Sequence, residues 1–316
     1  MMKTILSTIL ATTVIATVFA QNPDKALARV KYSFTHIQDT TQRDKPYTEN
    51  MLLVIGKNAS VYTSYDKLNN AMALSQQIQE QIKNNAGGSI SIKRPSSKPT
   101  SGLDYFFFVK ENKFVTKERL FNNYLIEEEA PKINWKITKD TASFSGVHCQ
   151  KATAQFKGRN WIAWYAPDMP FQSGPWKLNG LPGLIVEAYD EKKEVQFQFA
   201  GIDKVDETTV ATAPAEKPIN GNAVKIMGMD GAEAYLGSEI KLPADALKTT
   251  QKELDKLKEA RDKDPQGFLN AQLANSGIQG SIKMNMNTQM RPAGTAGIGG
   301  PTKPTINNPI ELPEKK

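Results

Sequence analysis

Residues 167–183 limit what this chain can fold into more than any other stretch. They carry four prolines (Pro167, Pro170, Pro175, Pro182) and three glycines (Gly174, Gly180, Gly183). Proline fixes φ and removes a backbone donor, while glycine supplies positive φ, so no helix runs through them. The residues before the prolines (Ala166, Met169, Gly174, Leu181) are pushed toward extended backbone. Asn179-Gly180 is a tight-turn dipeptide. On either side, 160–166 and 184–189 are rich in aromatic and β-branched residues and read as strands. Connections this long within a domain are functional or disordered. Met169, Phe171, Trp176, Leu178 and Leu181 are too apolar to stay solvated. The stretch therefore reads as a rigid, packed loop closing one end of a sheet.

Residues 1–20 read as a signal peptide for export. Lys3 gives the charged start, 5–19 the apolar part, and Val18-Phe19-Ala20 a small-residue cleavage site before Gln21. No cysteine follows that site, so no lipid anchor is expected, and no later stretch approaches the length of a membrane span. The mature chain is expected to be periplasmic or secreted, with no integral membrane segment. Cys149 is the only cysteine, so no internal disulfide forms and the fold must rest on a hydrophobic core. The net charge of +7 is spread among alternating bases and acids. Without a basic stripe, nucleic acid is not an expected partner.

Strand signals dominate the rest. Residues 28–37 alternate Val30, Tyr32 and Phe34 against Arg29, Lys31, Ser33 and Thr35. Further strands are expected at 51–55, 60–65, 105–109, 113–116, 121–126, 134–138, 147–156 and 195–199, most joined by short turns. Between 66 and 83 the apolar period changes to that of a helix, through Leu68, Ala71, Met72, Ser75, Ile78 and Ile82. Residues 84–102 are a Gly, Ser, Lys and Pro-rich loop, so 66–102 reads as an insertion between strands. A second helix is expected at 243–261, with Pro243 at its start and Pro265 beyond its end. Residues 281–316 are Pro, Gly, Asn and Thr-rich and read as a disordered tail. The fold class is thus mainly β (α+β): a curved, largely antiparallel sheet or half-barrel in 21–240, with one inserted helix and one C-terminal helical segment in 241–280.

Most chemistries lack their residues. The two histidines, His36 and His148, cannot build an imidazole metal site or serve a recognisable triad. Phosphate-binding and dinucleotide fingerprints are missing, so no metal or cofactor is expected. Met284, Met286 and Met290 read as an accident of tail composition. Cys149 reads as a small buried strand residue. Paired carboxylates are the one catalytic mode left open, with Asp168, Glu187 and Asp190 flanking the loop. Trp161, Trp164, Tyr165, Phe171 and Trp176 crowd the same region. Exposed aromatics beside Arg159, Asp168 and Lys177 suit stacking on sugars or on apolar side chains. Arg159, Trp164, Tyr165, Asp168, Trp176 and Lys177 are the expected binding residues. Trp161 and Trp164 are an odd number apart and face opposite ways on a regular strand.

The segment GPWKLNGLPGLIVEAYD, 174–190, resembles the motif of the GLPGLI family of exported proteins, found mainly in Bacteroidota. Gly180-Leu181-Pro182-Gly183-Leu184-Ile185 matches it letter for letter, with Gly174 and Pro175 in the preceding block. The blocks Cys149-Gln150-Lys151-Ala152, Ala163-Trp164-Tyr165 and Pro167-Asp168-Met169-Pro170 resemble it too, and 308–312 resembles its usual ending. The resemblance implies no reaction or ligand, because the family has none established. A fainter similarity is to the bowl-shaped domain attached to some secreted peptide:N-glycosidases, which implies a curved sheet and an accessory role.

The expected function is a non-catalytic binding or accessory protein whose ligand is a polypeptide, glycan or lipid. The alternatives are a hydrolase using acids near the loop and a structural envelope component.

Overall fold

The computed structural model describes residues 23–84, 98–205, 235–275 and 306–314. Eleven strands follow in order: β1 (Asp24–His36), β2 (Tyr47–Gly56), β3 (Ala59–Ser64), β4 (Leu103–Phe108), β5 (Lys113–Arg119), β6 (Asn123–Glu129), β7 (Lys136–Phe144), β8 (Val147–Phe156), β9 (Arg159–Ala166), β10 (Leu184–Asp190) and β11 (Val195–Lys204). Two short ones, β12 (Glu239–Ile240) and β13 (Leu247–Thr249), come later. All lie in one open sheet of order β13-β6-β5-β4-β3-β2-β1-β11-β10-β9-β8-β7, with β12 beside β1. Every pairing is antiparallel except β13 against β6. The chain's first strand is central, and two meanders spread from it in opposite directions.

Alternation puts apolar residues on both faces of the middle strands. Met51, Leu53 and Ile55 of β2 join Val30, Tyr32, Tyr62, Trp161, Ala163 and Phe197 on one face. The loop residues Trp176, Leu178 and Leu181 complete that layer. Leu52 and Val54 point the other way, with Val61, Phe106 and Val115. There α1 (Tyr65–Asn84) lays Leu68 on the sheet. Burial of one such side chain contributes about 1.5–3 kcal/mol. The expected helix at 66–83 thus exists, docked through Leu68, Ala71 and Met72. Its following loop lies largely outside the described residues, as do Met284, Met286 and Met290.

Two expectations for the end of the chain need correction. The second helix does not begin at Pro243. Leu247 lies in β13, and α2 (Gln251–Lys263) starts after Thr250. Thr250 accepts from the Glu253 N–H while the Glu253 carboxylate accepts from the Thr250 N–H. That capping box outweighs the proline as a start signal. Leu254 is then buried against Tyr124 and Ile126. Pro265 opens α3 (Pro265–Asn275) where the sequence pointed to a stop. The second correction concerns the tail. Residues 306–314 are placed against the sheet, with Asn308 only 5% exposed.

Candidate functional site

The loop crosses the Trp161 face of the sheet and is tied down by its own backbone. Leu184 N–H donates to Met169 O at 3.2 Å, Ile185 N–H to Ser173 O at 3.0 Å and Leu178 N–H to Pro175 O at 3.0 Å. From the sheet's far edge, the Trp135 indole donates to Asn179 O at 2.7 Å. Two glycines permit the close approach. A Cβ on Gly174 would lie 2.6 Å from Leu178 O, and one on Gly183 would run into the Ala166 carbonyl. Gly180 turns the chain at φ +87°. Trp176 also adopts positive φ, +54°. That conformation is costly for a bulky residue. Packing holds it there: its ring centroid is 5.6 Å from that of Trp161 and 5.9 Å from that of Phe156.

Where the loop meets β2–β5, a small cavity remains, enclosing room for about one water and open at its mouth. Tyr62, Tyr105, Phe107, Phe114 and Trp176 form its aromatic wall, and Ser60 and Asn179 contribute polar edges. Two polar atoms of this wall, Tyr62 Oη and Trp176 Nε1, are buried without a hydrogen-bond partner. Trp176 leans toward the Tyr105 hydroxyl without reaching hydrogen-bonding geometry. Burial pushes the Tyr62 and Tyr105 hydroxyls well above the ordinary phenol range, so both stay protonated. The wall thus offers apolar surface plus uncommitted hydroxyl and indole groups. At the rim, Lys177 Nζ sits 5.9 Å over the Phe114 ring and 2.7 Å from Glu311 Oε1. Burial alone would raise the Glu311 carboxyl, but Lys177 and Lys157 outweigh it and hold the group below its ordinary range.

The six expected binding residues do not converge. Trp176 is 4% exposed and faces this cavity, with Lys177 beside it. Tyr165 is buried and donates to Gln150 Oε1 at 2.8 Å. Trp164 projects from the opposite face, half-buried, 5.6 Å from Phe144 and under Lys151. Asp168 is exposed at the start of the loop. Arg159 is 3% exposed and faces no ligand from solution while residues 308–310 lie over it. It is covered because its Nη1 reaches Asp190 Oδ2 at 2.8 Å while residues 308–310 lie over its other nitrogens.

The loop-flanking acids are likewise apart. Asp190 is committed to Arg159 and to the Val195 N–H. Glu187 accepts from the Phe199 N–H at 2.9 Å, and burial raises its carboxyl. Asp168 is solvated on the loop. Cys149 is buried, and burial pushes its thiol up to about 11, too high for a nucleophile at neutral pH. Among the described residues, no cluster of His, Cys, Asp or Glu could hold a metal ion, and no helix is long and apolar enough to cross a membrane.

Sequence reasoning missed Tyr62, Tyr105, Phe107 and Phe114, which line the cavity from strands far from the loop. The usable signal was the aromatic run Tyr105-Phe106-Phe107-Phe108, whose odd-numbered members face the loop. It also missed a buried ionic cluster on the α1 face. Asp104, fully buried, lies 2.6 Å from Lys67 Nζ and 2.7 Å from Lys117 Nζ. The Tyr235 hydroxyl donates to it at 2.8 Å. Burial opposes the Asp104 charge, but the two ammonium groups outweigh it and hold the carboxyl low. Both of its oxygens have partners, so the cluster is structural.

A family model described as "Protein of unknown function (Porph_ging)" matches residues 151–187. That span takes in most of β8, all of β9, the loop and the start of β10. None of the curated proteins matches the chain. Two solved structures are similar in part. "Structure of PNGF-II in P21 space group" is 13% identical, covering 57% of this chain and 29% of that one, with a TM-score of 0.39. "Structure of PNGF-II in C2 space group" is 11% identical, covering 73% and 32%, with a TM-score of 0.43. The chain spans about a third of the length of those solved chains or less.

Proposed function

We propose that this chain is an exported binding or accessory protein of the GLPGLI kind, non-catalytic, working in the periplasm or outside the cell. Its partner is a polypeptide that places one amphiphilic side chain in the cavity beneath the loop. The observation that carries this reading is the pair of buried, unpartnered polar atoms, Tyr62 Oη and Trp176 Nε1, in one aromatic wall. Such groups cost free energy until something accepts from or donates to them. The enclosed space is about one water in size, far below the roughly 300–1,000 Å³ of small-molecule sites, so no whole ligand fits and a side chain enters as the half-buried Tyr105 and Phe107 give way. The dispersed acids near the loop weigh against the hydrolase alternative.

The test is capture of an envelope polypeptide by the purified protein and by Tyr105→Ala and Phe107→Ala variants. Both residues are half-buried at the cavity, so truncation should leave the fold intact and abolish capture. Equal capture by both variants would overturn the reading. Trp164 supports a second surface on the opposite face, because it is half-buried with Lys151 5.9 Å from its ring centroid. Loss of capture in Trp164→Ala alone would move the site there.

A further inference from the structure

The region 306–314 joins no strand of the sheet, yet it is held by a dense set of side chains. Arg159 Nε donates to Ile310 O at 2.8 Å, and its Nη2 donates to Asn308 Oδ1 and Pro309 O, each at 2.7 Å. His36 Nε2 donates to Asn308 O at 2.7 Å. Asn308 Nδ2 donates to Ile37 O at 2.7 Å. The N–H groups of Asn307 and Asn308 both reach Gln38 O. Glu311 pairs with Lys177 at 2.7 Å and Lys157 at 3.3 Å.

Most of the receiving surface is set by the sheet, although Glu194 also accepts from Asn308 Nδ2 at 3.2 Å. Asp190 and Glu194 orient the guanidinium of Arg159 from one side, at 2.8 and 3.5 Å. Asp190 is itself fixed by the Val195 N–H, and Glu194 by Arg43 at 2.9 Å. The remaining Arg159 donors therefore face the segment, toward two backbone carbonyls and the Asn308 side-chain oxygen. Arginine's rigid fork loses little freedom when it engages them. The β8–β9 turn comes right against the peptide: Leu312 N–H donates to Lys157 O at 3.0 Å, and a Cβ on Gly158 would lie 2.6 Å from Leu312 O. These are the features of a peptide cradle: fixed donors for the backbone, one buried pocket for an Asn side chain, and two cations for an acid.

We infer that the cradle at the end of β1, β9 and β10 is a recognition site for extended peptides of the pattern Asn-Pro-apolar-acid. Residues 308–311 of this chain occupy it as an intramolecular ligand. The inference does not rest on the aromatic cavity: Lys177 borders both, and the other cradle residues, Arg159, His36 and Lys157, are separate from it. A tethered ligand holds its site by effective concentration, so its grip is exposed when the tether is cut.

The experiment uses the full chain with a protease site inserted within 276–305. After cleavage, the released fragment should stay bound and co-elute with the body. A labelled synthetic peptide of residues 306–314 should then exchange into the cradle, and the Asn308→Ala peptide should bind on the order of tenfold more weakly or worse. A Glu311→Gln peptide should bind more weakly, with a smaller dependence on salt than the parent peptide. Immediate loss of the fragment with no peptide binding would overturn the inference. So would unfolding of the body on cleavage, which would make the segment part of the core and not a ligand. Circular dichroism of the cleaved body separates those two failures.

Discussion

Arg159 and Asn308, 149 residues apart, share a buried hydrogen bond of 2.7 Å, and that contact fastens residues 308–310 to the start of β9. The guanidinium makes five hydrogen bonds, two to acids of its own sheet neighbourhood and three to the 308–310 segment. A buried charge is tolerable only when so paired.

Removing the Asn308 side chain should therefore be costly. Asn308→Ala deletes contacts to Arg159, Ile37 O and Glu194 and leaves a charged donor short of an acceptor. The expected loss is about 2–3 kcal/mol. Urea unfolding should show a lower midpoint at an unchanged m-value. A change under 0.5 kcal/mol would mean that the segment is held elsewhere.

Acid should loosen the same region through His36. Its pKa is lowered, chiefly by burial and despite the Asn308 carbonyl, so the folded protein binds less proton there than the unfolded chain. The stability it carries is complete above an unfolded pKa of about 6.5 and falls as pH drops below that toward the folded value. Stability should thus decline between about pH 7 and 5, and His36→Gln should flatten that slope. The groups around it are Arg159, Asp190 and Glu194. Glu194 and Glu311 are held low and add a second loss only at more acidic pH. An unchanged slope in His36→Gln would remove the histidine from this account.

Within the loop, Gly183 and Gly180 should behave differently although both belong to the hexapeptide. A methyl at 183 meets the Ala166 backbone, which cannot yield without moving β9. Gly183→Ala should cost about 2–3 kcal/mol or more. At 180 the nearest atom to an added Cβ is 4.0 Å away, so only the positive φ resists. Gly180→Ala should cost about 1 kcal/mol. Thermal midpoints of the two variants decide the order, and a reversed order would contradict the packing described.

The Asp104 cluster provides a fourth check. Lys117→Met leaves a fully buried carboxylate with Lys67 as its one remaining cation. Breaking one arm of such a network costs about 3–5 kcal/mol. The Asp104→Asn, Lys117→Met double variant should recover part of that loss, because it also removes the stranded charge. An additive double variant would show that the two groups are not coupled.

Much of this architecture was legible in the sequence, because the sheet alternates cleanly. The period-two pattern of Val30, Tyr32 and Phe34 marks β1, and the period change after Tyr65 marks α1. The prolines and apolar residues of 167–183 marked a packed loop. Legibility failed where partners come from afar. Arg159 looks like a surface residue in sequence, since nothing nearby announces that residues 308–310 will cover it. The 306–314 stretch has a polar, proline-bearing composition like that of a solvated tail, and its order comes from Asn308 and Ile310 finding the cradle. The cavity shares this cause. Tyr62, Phe107 and Phe114 reach it only through the β3-β4-β5 register. Thr250 and Glu253 are different: the capping box was readable and was outranked by Pro243.

The central claim is that a polypeptide partner enters the aromatic cavity under the loop. It is tested most directly by placing a photo-crosslinking amino acid at Phe107, with Ile137, 45% exposed, as a control. Irradiation in an envelope extract should yield one discrete polypeptide adduct from position 107 and none from 137. No adduct from 107, or the same adducts from both positions, would contradict the claim.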